Sequence, residues 1–418
     1  MSPPRWRPLL AAVCIAQAAA IVGFDFTLPF IPLYLQNDLG IHGLGQTALW
    51  AGLIGFGPAI PATIFGPIWG RVADRFGYRA MLLRAMVSAS VLLALMGLAP
   101  SPWVLLVLRM IQGSLSGTVF SAQALVAATV PERETGRAMG LLQMSVFVGA
   151  TAGPVAGGAV AQALGYRATF AGAGVLLAAA AGIVFAFVKE PPRRSTSKAS
   201  DAGRASLLSV VAVPAFAAAL ALTLGLQLAS TSLFPVLPLF VQDLLHSSRG
   251  VAPATGWIMA TSGMAAAGGS YLAGRLQRHV GLKPLLVVTL LLSSLLFLPQ
   301  AFASGVGQLL VVRACASFAF GGLIGLVGTL AAVSSPKDAK GTAFGLVGAA
   351  SSMGFGVGPL LGGVLVAVVG IRPVFVIAGA LVGVLPLILA AGAGLLSVVS
   401  GARRGRAPTL TRLRSERG

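Results

Sequence analysis

Charged residues are scarce in this chain of 418 residues. They make up 9% of it, against roughly 25% in soluble domains. Hydrophobic residues account for 56%, and the mean hydropathy is +0.91. A soluble domain of this length has no interior large enough to bury so much apolar surface. The composition therefore excludes a soluble protein and predicts an integral membrane protein.

Reactive and metal-binding side chains are scarce as well. There are 2 cysteines and 3 histidines, and both Cys14 and Cys315 lie in apolar runs, which argues against a disulfide or a metal site. The chain contains no Gly-x-x-x-x-Gly-Lys-Ser/Thr phosphate loop and no nucleophile and base at a recognisable spacing. We therefore expect no enzyme, no cofactor and no bound metal.

The net charge of +19 comes from arginines and lysines scattered through short loops, without the aromatic platforms of a nucleic-acid groove. The predicted partners of these basic residues are membrane lipids with anionic headgroups, and not nucleic acid.

Apolar segments of about 20 residues or more, the length that crosses roughly 30 Å of hydrocarbon, recur along the chain. The first apolar segment comes after Arg5 and Arg7, an arrangement that is also typical of a secretory signal peptide. Its apolar run is longer than the core of a signal peptide, and we therefore interpret it as span 1. Twelve spans are predicted: 9–35, 47–70, 80–99, 103–128, 138–163, 168–188, 207–241, 253–274, 283–302, 307–334, 342–368 and 373–398.

The basic residues predict the orientation of these spans. Twelve spans place both termini on one side, and most of the 29 lysines and arginines lie in loops or tails on that side. The opposite side carries only Arg167, Arg249 and Arg372. This asymmetry predicts a multi-pass protein of the inner (plasma) membrane with both termini cytoplasmic.

The two halves of the chain repeat each other. Pro29–Gln36 matches Pro235–Gln242, and Gly149–Gly158 matches Gly354–Gly363 at almost the same offset. The repeats indicate two halves of six helices each, related in parallel. The predicted units are an N-terminal half 1–188, a cytoplasmic linker 189–206, a C-terminal half 207–400 and a basic cytoplasmic tail 401–418.

A charged, glycine-punctuated corner between spans 2 and 3 carries the clearest motif. Its sequence, Gly-Arg-Val-Ala-Asp-Arg-Phe-Gly-Tyr-Arg from Gly70 to Arg79, resembles the G-x-x-x-D-R-x-G-R-[RK] signature of the major facilitator superfamily, with Tyr78 in place of a basic residue. The resemblance implies an all-α fold of twelve transmembrane helices in two six-helix halves. It also implies a cytoplasmic gate that breaks as the protein changes face; a simple basic loop beside the membrane is the alternative. The gate is assigned to Gly70, Asp74, Arg75, Gly77 and Arg79.

A run of glycines and a proline in span 5 resembles the signature that marks antiporters and exporters in this superfamily. Small residues at every fourth position also allow plain close packing of helices, which is the alternative explanation. The motif comprises Gly149, Gly153, Pro154, Gly157 and Gly158.

Ionisable groups inside a membrane are costly enough to be functional candidates by default. Asp25 is the one acidic residue within a predicted span, about 15 Å from the outer end of span 1, and Arg109 lies about 9 Å deep in span 4. Arg109 and Gln112 resemble the R-x-x-Q-G signature associated with proton coupling. We interpret Asp25 and Arg109 as a proton-coupling pair, with a static ion pair as the alternative. Arg313 is the repeat mate of Arg109 and meets either backbone carbonyls and water or an electronegative substrate group.

Aromatic and amide side chains in the spans are candidates for lining a substrate cavity. Their near lack of fixed charge suits lipophilic neutral or singly cationic compounds better than multiply charged ones. The candidates are Phe26, Phe30, Tyr34, Gln112, Gln123, Gln143, Gln227, Phe234 and Arg313.

Further likenesses at Trp69–Arg75 and Ala80–Arg84 favour the twelve-span drug:proton antiporter branch. We therefore predict a monomeric secondary transporter that exports lipophilic neutral or cationic compounds in exchange for protons by alternating access. One alternative is a uniporter or exporter of a sugar or other small metabolite. Another is a non-transporting membrane scaffold or receptor, against which a gate of this kind argues.

Overall fold

The computed structural model describes residues 6–189, 213–247, 249–335 and 340–404. These ranges contain helices and no strand, which confirms the predicted all-α membrane fold. The predicted linker lies outside the described residues from 190 onward, and the predicted tail from 405 onward.

The first six spans follow one another along the chain. Their helices are Trp6–Asp25, Leu28–Phe30 and Ile31–Asn37 (span 1), Leu44–Phe56 and Ala59–Phe76 (span 2), Tyr78–Gly97 (span 3), Pro102–Ser114 and Thr118–Thr129 (span 4), Glu132–Leu164 (span 5) and Tyr166–Phe187 (span 6).

The remaining helices form six more segments in the same order. They are Pro214–Thr231 and Val236–Leu245 (span 7), Val251–Val280 (span 8), Leu282–Ala301 (span 9), Val306–Ser334 (span 10), Lys340–Val369 (span 11) and Ile371–Arg404 (span 12).

Eleven of the described helical segments are both long and apolar enough to cross a membrane. The segment not among them is span 8, which has 30 residues and is therefore about 45 Å long. Its sequence is rich in Gly, Ser and Thr and ends with Arg275, Arg278 and His279, which lowers its mean hydropathy.

Several spans are interrupted where the sequence cannot continue a regular helix. Span 1 breaks after Asp25, just before Pro29, and span 7 breaks after Thr231, just before Pro235. Proline lacks the backbone N–H that continues the hydrogen bonds of a helix, which explains each break. The two breaks lie at matching positions of the repeat. Span 4 breaks at Gly117, whose φ of +127° is one that side chains other than glycine rarely adopt.

The two halves meet closely at the end of the bundle away from the chain termini, which we call the opposite side. Span 5 packs along span 8 there, and a methyl group on Gly158 would lie 2.6 Å from the carbonyl oxygen of Ala252. Span 2 packs along span 11 in the same way, where a methyl group on Gly52 would lie 2.7 Å from the carbonyl oxygen of Pro359. Backbones touch at these glycines because no side chain separates them.

The halves separate toward the end that carries the termini, which we call the terminal side. A methyl group added to any of six glycines near that end of spans 2, 5, 8 and 11 would have no neighbouring atom within 4 Å. These glycines are Gly66, Gly70, Gly136, Gly140, Gly274 and Gly348. The structure is therefore closed on the opposite side and open on the terminal side.

Candidate functional site

Asp25 is the last residue of the first helix of span 1. Within the described part of the chain its carboxylate has no hydrogen bond and no ion pair, and its side chain is half-buried. Its position follows from the break in span 1, because the chain leaves the regular helix at the next residue. The result is a carboxyl group within the membrane-spanning bundle that is not neutralised by a neighbouring base.

The glycines of span 5 pack directly on this part of span 1. A methyl group on Gly153 would lie 2.8 Å from the Cβ of Asp25, and one on Gly149 would lie 2.7 Å from the Cβ of Ile21. At Gly157 the added methyl would meet the backbone of Phe26. Any larger side chain at these positions would displace Asp25 and its neighbours.

The same helix contacts the other half through its remaining motif residues. The backbone of Pro154 lies against Gly256 of span 8, and Gly158 lies against Ala252. Span 5 therefore contacts Asp25 with one side and the C-terminal half with another. Both contacts belong to the same helix. A movement of span 5 relative to the other half therefore also changes its contact with Asp25.

The repeat mate of this site is occupied by a hydroxyl. Thr231 stands at the position that answers Asp25, and Gly358 packs on it as Gly153 packs on Asp25. The Oγ1 of Thr231 donates to the carbonyl oxygens of Gln227, at 2.7 Å, and Gly354, at 3.0 Å. At this repeat position only the N-terminal half carries an ionisable group.

Arg109 is buried, with 6% of its surface exposed, and its Nη1 donates to the Oε1 of Gln112 at 2.7 Å. The structure does not join Arg109 to Asp25, because the guanidinium lies along its own helix toward Gln112. Its Nε is buried without a hydrogen-bond partner.

A cavity of about 200 Å³ lies within the C-terminal half, among spans 7 to 10. Two of the predicted lining residues, Phe234 and Arg313, border it, together with Phe297 and Phe320. The Nη1 of Arg313 donates to the Oε1 of Gln300 at 3.1 Å. The cavity thus combines aromatic faces with one guanidinium.

Other predicted lining residues belong to the packed core. Phe26, Phe30 and Tyr34 are almost fully buried, and the hydroxyl of Tyr34 donates to the carbonyl oxygen of Met96 at 3.0 Å. They do not border this cavity, because span 1 turns these rings toward its neighbours.

The amide residues differ from one another in their surroundings. Gln112 is buried beside Arg109, Gln143 is exposed, and Gln123 and Gln227 are half-buried. None of the four borders the cavity.

The charged corner between spans 2 and 3 is a tight turn. Gly77, with φ +99°, ends span 2 and precedes span 3, and its N–H donates to the carbonyl oxygen of Ala73. The guanidinium of Arg75 lies 5.5 Å from the ring of Phe76. Arg79 donates to the carbonyl oxygen of Phe185 at 2.8 Å. The side chain of Asp74 lies outside the described residues.

A second arrangement near this corner was not predicted from the sequence. The guanidinium of Arg84 stacks on the ring of Trp69, 3.6 Å from its centroid, and donates to the carbonyl oxygen of Ser116 at 3.0 Å. The indole N–H of Trp69 donates to the carbonyl oxygen of Ser114 at 2.6 Å. These bonds satisfy carbonyls that the break in span 4 releases. The feature of the sequence that could have indicated this arrangement is Arg84 itself, a charged residue one turn inside predicted span 3.

Two ion pairs at matching repeat positions were also missed. Arg167 lies 3.2 Å from Asp38, and Arg372 lies 3.9 Å from Asp243, each joining the last turn of one span to the start of another on the opposite side. Burial raises the pKa of the Asp38 carboxyl, and the neighbouring Arg167 partly opposes that rise.

Two halves of repeated helices, closed on one side and open on the other, with an unpaired carboxyl in one half, define a multi-pass membrane transporter of small molecules. The family model described as Major Facilitator Superfamily matches residues 13–254 and 220–414. The chain therefore belongs to the Major Facilitator Superfamily, as its motifs predicted.

Curated relatives cover most of the chain. It is 32% identical over 381 residues to a protein named Multidrug resistance protein MdtG from Dickeya zeae (strain Ech586), covering 91% of this chain and 93% of that protein. It is 32% identical over 385 residues to the protein of that name from Klebsiella pneumoniae (strain 342), covering 91% and 92%.

Solved structures share the fold at lower identity. A bacterial homolog of the human lysosomal transporter Spinster, in an inward-facing and unoccupied conformation, has a TM-score of 0.73 at 16% identity, covering 98% of this chain and 100% of that one. The nucleoside transporter NupG has a TM-score of 0.74 at 14% identity, covering 92% and 98%.

Proposed function

We propose that this protein is a proton-driven multidrug efflux transporter that works by alternating access. The observation that carries the proposal is the similarity over 91% of the chain to relatives named Multidrug resistance protein. The substrates are lipophilic neutral or cationic compounds, which enter from the cytoplasm and leave on the other side of the membrane.

The working units are the two halves, 1–188 and 207–400, joined by the linker 189–206 and followed by the tail 401–418. The excess of basic residues in loops on the terminal side supports a cytoplasmic location for both termini, with the protein in the inner membrane. The opening on the terminal side then corresponds to the inward-open state. The protein works as a monomer, with anionic lipids at its basic loops.

Asp25 carries the coupled proton. Among the described residues no base pairs with its carboxyl group to hold it ionised, so protonation and cation binding compete for the same charge. Gly153 packs on its backbone, so movement of span 5 changes the space around the carboxyl group. Asp25 takes up a proton when the protein is open outward, which favours release of a cation. It loses that proton when the protein is open inward.

Arg109 supports this coupling site from span 4. Its guanidinium is buried, and the partner that it binds is the neutral amide of Gln112. A negative charge that comes close to this guanidinium is therefore stabilised by it. On the cytoplasmic side, the corner residues form the gate that closes when the protein turns outward. Charge-assisted hydrogen bonds of a carboxylate with several arginines suit such a latch. The gate residues are Gly70, Asp74, Arg75, Gly77 and Arg79.

The test is efflux of a lipophilic fluorescent cation from vesicles under an imposed pH gradient. Wild type, Asp25→Asn and a matched control, Asp243→Asn, are compared at equal amounts of inserted protein. The control removes the same charge from a half-exposed pair on the opposite side. Gradient-driven efflux in wild type and the control, but not in Asp25→Asn, is expected.

The other outcomes are equally informative. Efflux that survives in Asp25→Asn with its full dependence on the pH gradient contradicts Asp25 as the coupling carboxyl. Flux of the cation down its own gradient, indifferent to pH in wild type, contradicts proton coupling and favours a uniporter. Lack of cation flux in wild type contradicts multidrug efflux, and sugars and other metabolites then become the compounds to test.

A further inference from the structure

The cavity in the C-terminal half contains one charged side chain, and that side chain lacks a counter-ion. In the described ranges of this half, 213–247, 249–335 and 340–404, the only acidic residue is Asp243. Its carboxylate lies near Arg372 on the opposite side of the bundle. The guanidinium of Arg313 therefore faces the cavity without a carboxylate to balance it.

The hydrogen bonds of Arg313 are also incomplete. Its Nη1 is bound to the amide oxygen of Gln300, while its Nε is buried without a partner. A guanidinium carries five N–H donors in a rigid fork, so most of its capacity is unused here. The side chain as a whole is half-buried, but its Nε is out of reach of water, and an unpaired buried donor is unfavourable. An oxygen acceptor that enters the cavity can bind the donors that Gln300 leaves free.

The cavity lies next to the interface between the two halves. Gly263 lines the cavity, and a methyl group on it would lie 3.1 Å from the Oγ1 of Thr151 in span 5. Further toward the terminal side, Gly140 of span 5 and Gly274 of span 8 have no neighbours within 4 Å. A compound that enters the opening between the halves therefore meets this cavity where the close contacts begin.

The remaining walls are suited to an apolar body. The rings of Phe234, Phe297 and Phe320 line the cavity, and Ser262 and Ser317 add hydroxyls to its lining. An aromatic or aliphatic group is stabilised by the rings, and a carboxylate is stabilised by the fork of Arg313.

We propose that this cavity is a substrate subsite for amphiphilic compounds that combine an apolar body with one anionic oxygen group, and that Arg313 binds that group. The inference rests on the proposed function, and it extends the transported class from neutral and cationic compounds to monoanionic ones. Asp25 in one half and Arg313 in the other then serve compounds of opposite charge.

Two probes that differ only in charge test this subsite. Dansylglycine carries a carboxylate, and dansylglycinamide replaces it with a neutral amide on the same fluorophore. Binding of each to the purified full-length protein is measured by dansyl fluorescence in wild type and Arg313→Gln. Arg249→Gln, which removes an exposed arginine on the opposite side, is the control.

Arg313→Gln is expected to weaken dansylglycine binding about 10- to 100-fold, the range for a lost hydrogen bond to a charged group. Dansylglycinamide binding should change less than about twofold, since it makes no charge-assisted bond. Arg313→Lys should recover only part of the lost affinity, because lysine keeps the charge without the fork. Arg249→Gln should bind both probes as wild type does.

A second variant covers the case in which Arg313→Gln fails to fold. Ser317→Asp adds a carboxylate one turn further along span 10, inside the cavity, and so supplies an internal counter-ion to Arg313. It should abolish dansylglycine binding while the arginine remains in place.

Lack of dansylglycine binding in wild type overturns the proposal, and so does equal dansylglycine binding in wild type and the folded variants. Equal weakening of both probes by Arg313→Gln overturns it as well, because the arginine then only supports the fold. The proposed function is judged separately by efflux of the lipophilic cation in wild type. If that efflux is present and dansylglycine does not bind, this inference alone fails.

Discussion

The close contact between the halves at Gly158 predicts that a single methyl group will shift the conformational equilibrium. In Gly158→Ala the new Cβ would lie 2.6 Å from the carbonyl oxygen of Ala252 and 3.1 Å from the Cα of Pro253. Both are backbone atoms, so neither can rotate away. The clash exists only while the opposite side is closed.

The expected size of the shift follows from the cost of overpacking. An added methyl group in a filled contact typically costs about 1–3 kcal/mol, which corresponds to a change of about 5- to 150-fold in the equilibrium between the two states. The ratio of the state closed on the opposite side to the state open on that side should fall by that factor. Alanine also raises helix propensity by up to about 1 kcal/mol, but this gain applies to both states.

Gly140→Ala is the matched control for this experiment. Gly140 lies in the same helix and has no neighbouring atom within 4 Å, so it gains the same propensity without a clash. Any contact that its methyl group makes when the terminal side closes would favour the state open on that side, so it should not lower the population of that state.

Distances between spin labels measure the shift. Labels at Arg133 and Leu276 report the separation of spans 5 and 8 on the terminal side, after Cys14 and Cys315 have been replaced by serine. Gly158→Ala should move the main distance from long to short. The reasoning is refuted if Gly158→Ala and Gly140→Ala give the same distance distribution.

Three smaller perturbations test individual contacts. Arg84→Lys should lower the thermal unfolding temperature in detergent, because lysine cannot stack on Trp69 and bind the released carbonyls with one fork; an unchanged temperature contradicts that role. Tyr34→Phe removes the donor to Met96 and should lower the free energy of unfolding by about 0.5–1.5 kcal/mol, measured by chemical denaturation; no change would mean that the bond contributes nothing. Arg167→Gln should cost less than about 1 kcal/mol in the same measurement, as exposed ion pairs usually do, and a larger loss would show that the pair is needed to hold the opposite side together.

The sequence was enough to predict the helical architecture and the family. Twelve apolar segments and the repeated Pro-x-x-Pro and glycine runs depend on spacing along the chain, which a sequence records directly. The break in span 1 was not predicted, although Pro29 and Pro32 are residues that interrupt a helix. The break in span 4 is less visible, because it depends on Gly117 adopting a positive φ while Trp69 and Arg84 bind the freed carbonyls.

Side-chain partners were harder to predict. Position along a helix gives the depth of a residue in the membrane, and by depth Asp25 and Arg109 were suited to a pair. Depth does not give the direction in which a side chain leaves its helix, and Arg109 lies toward Gln112 instead. The same uncertainty applies to Phe26 and Tyr34, whose rings turn into the core.

The role of span 5 becomes clear only when its two sides are considered together. The glycine motif predicted close packing or an antiporter helix, and these two explanations are compatible. Gly153 packs on Asp25, while Gly158 packs on the other half. A sequence contains the spacing of both glycines, but not the identity of the helices that they contact.

The central claim is that a transported cation and a proton compete at Asp25. The most direct measurement is proton release from the detergent-solubilised protein, followed with a pH-sensitive dye in weakly buffered solution, when a lipophilic cation is added. Wild type is predicted to release protons on addition of the cation, and Asp25→Asn is predicted to release none while remaining folded. Equal release from both proteins would contradict the account.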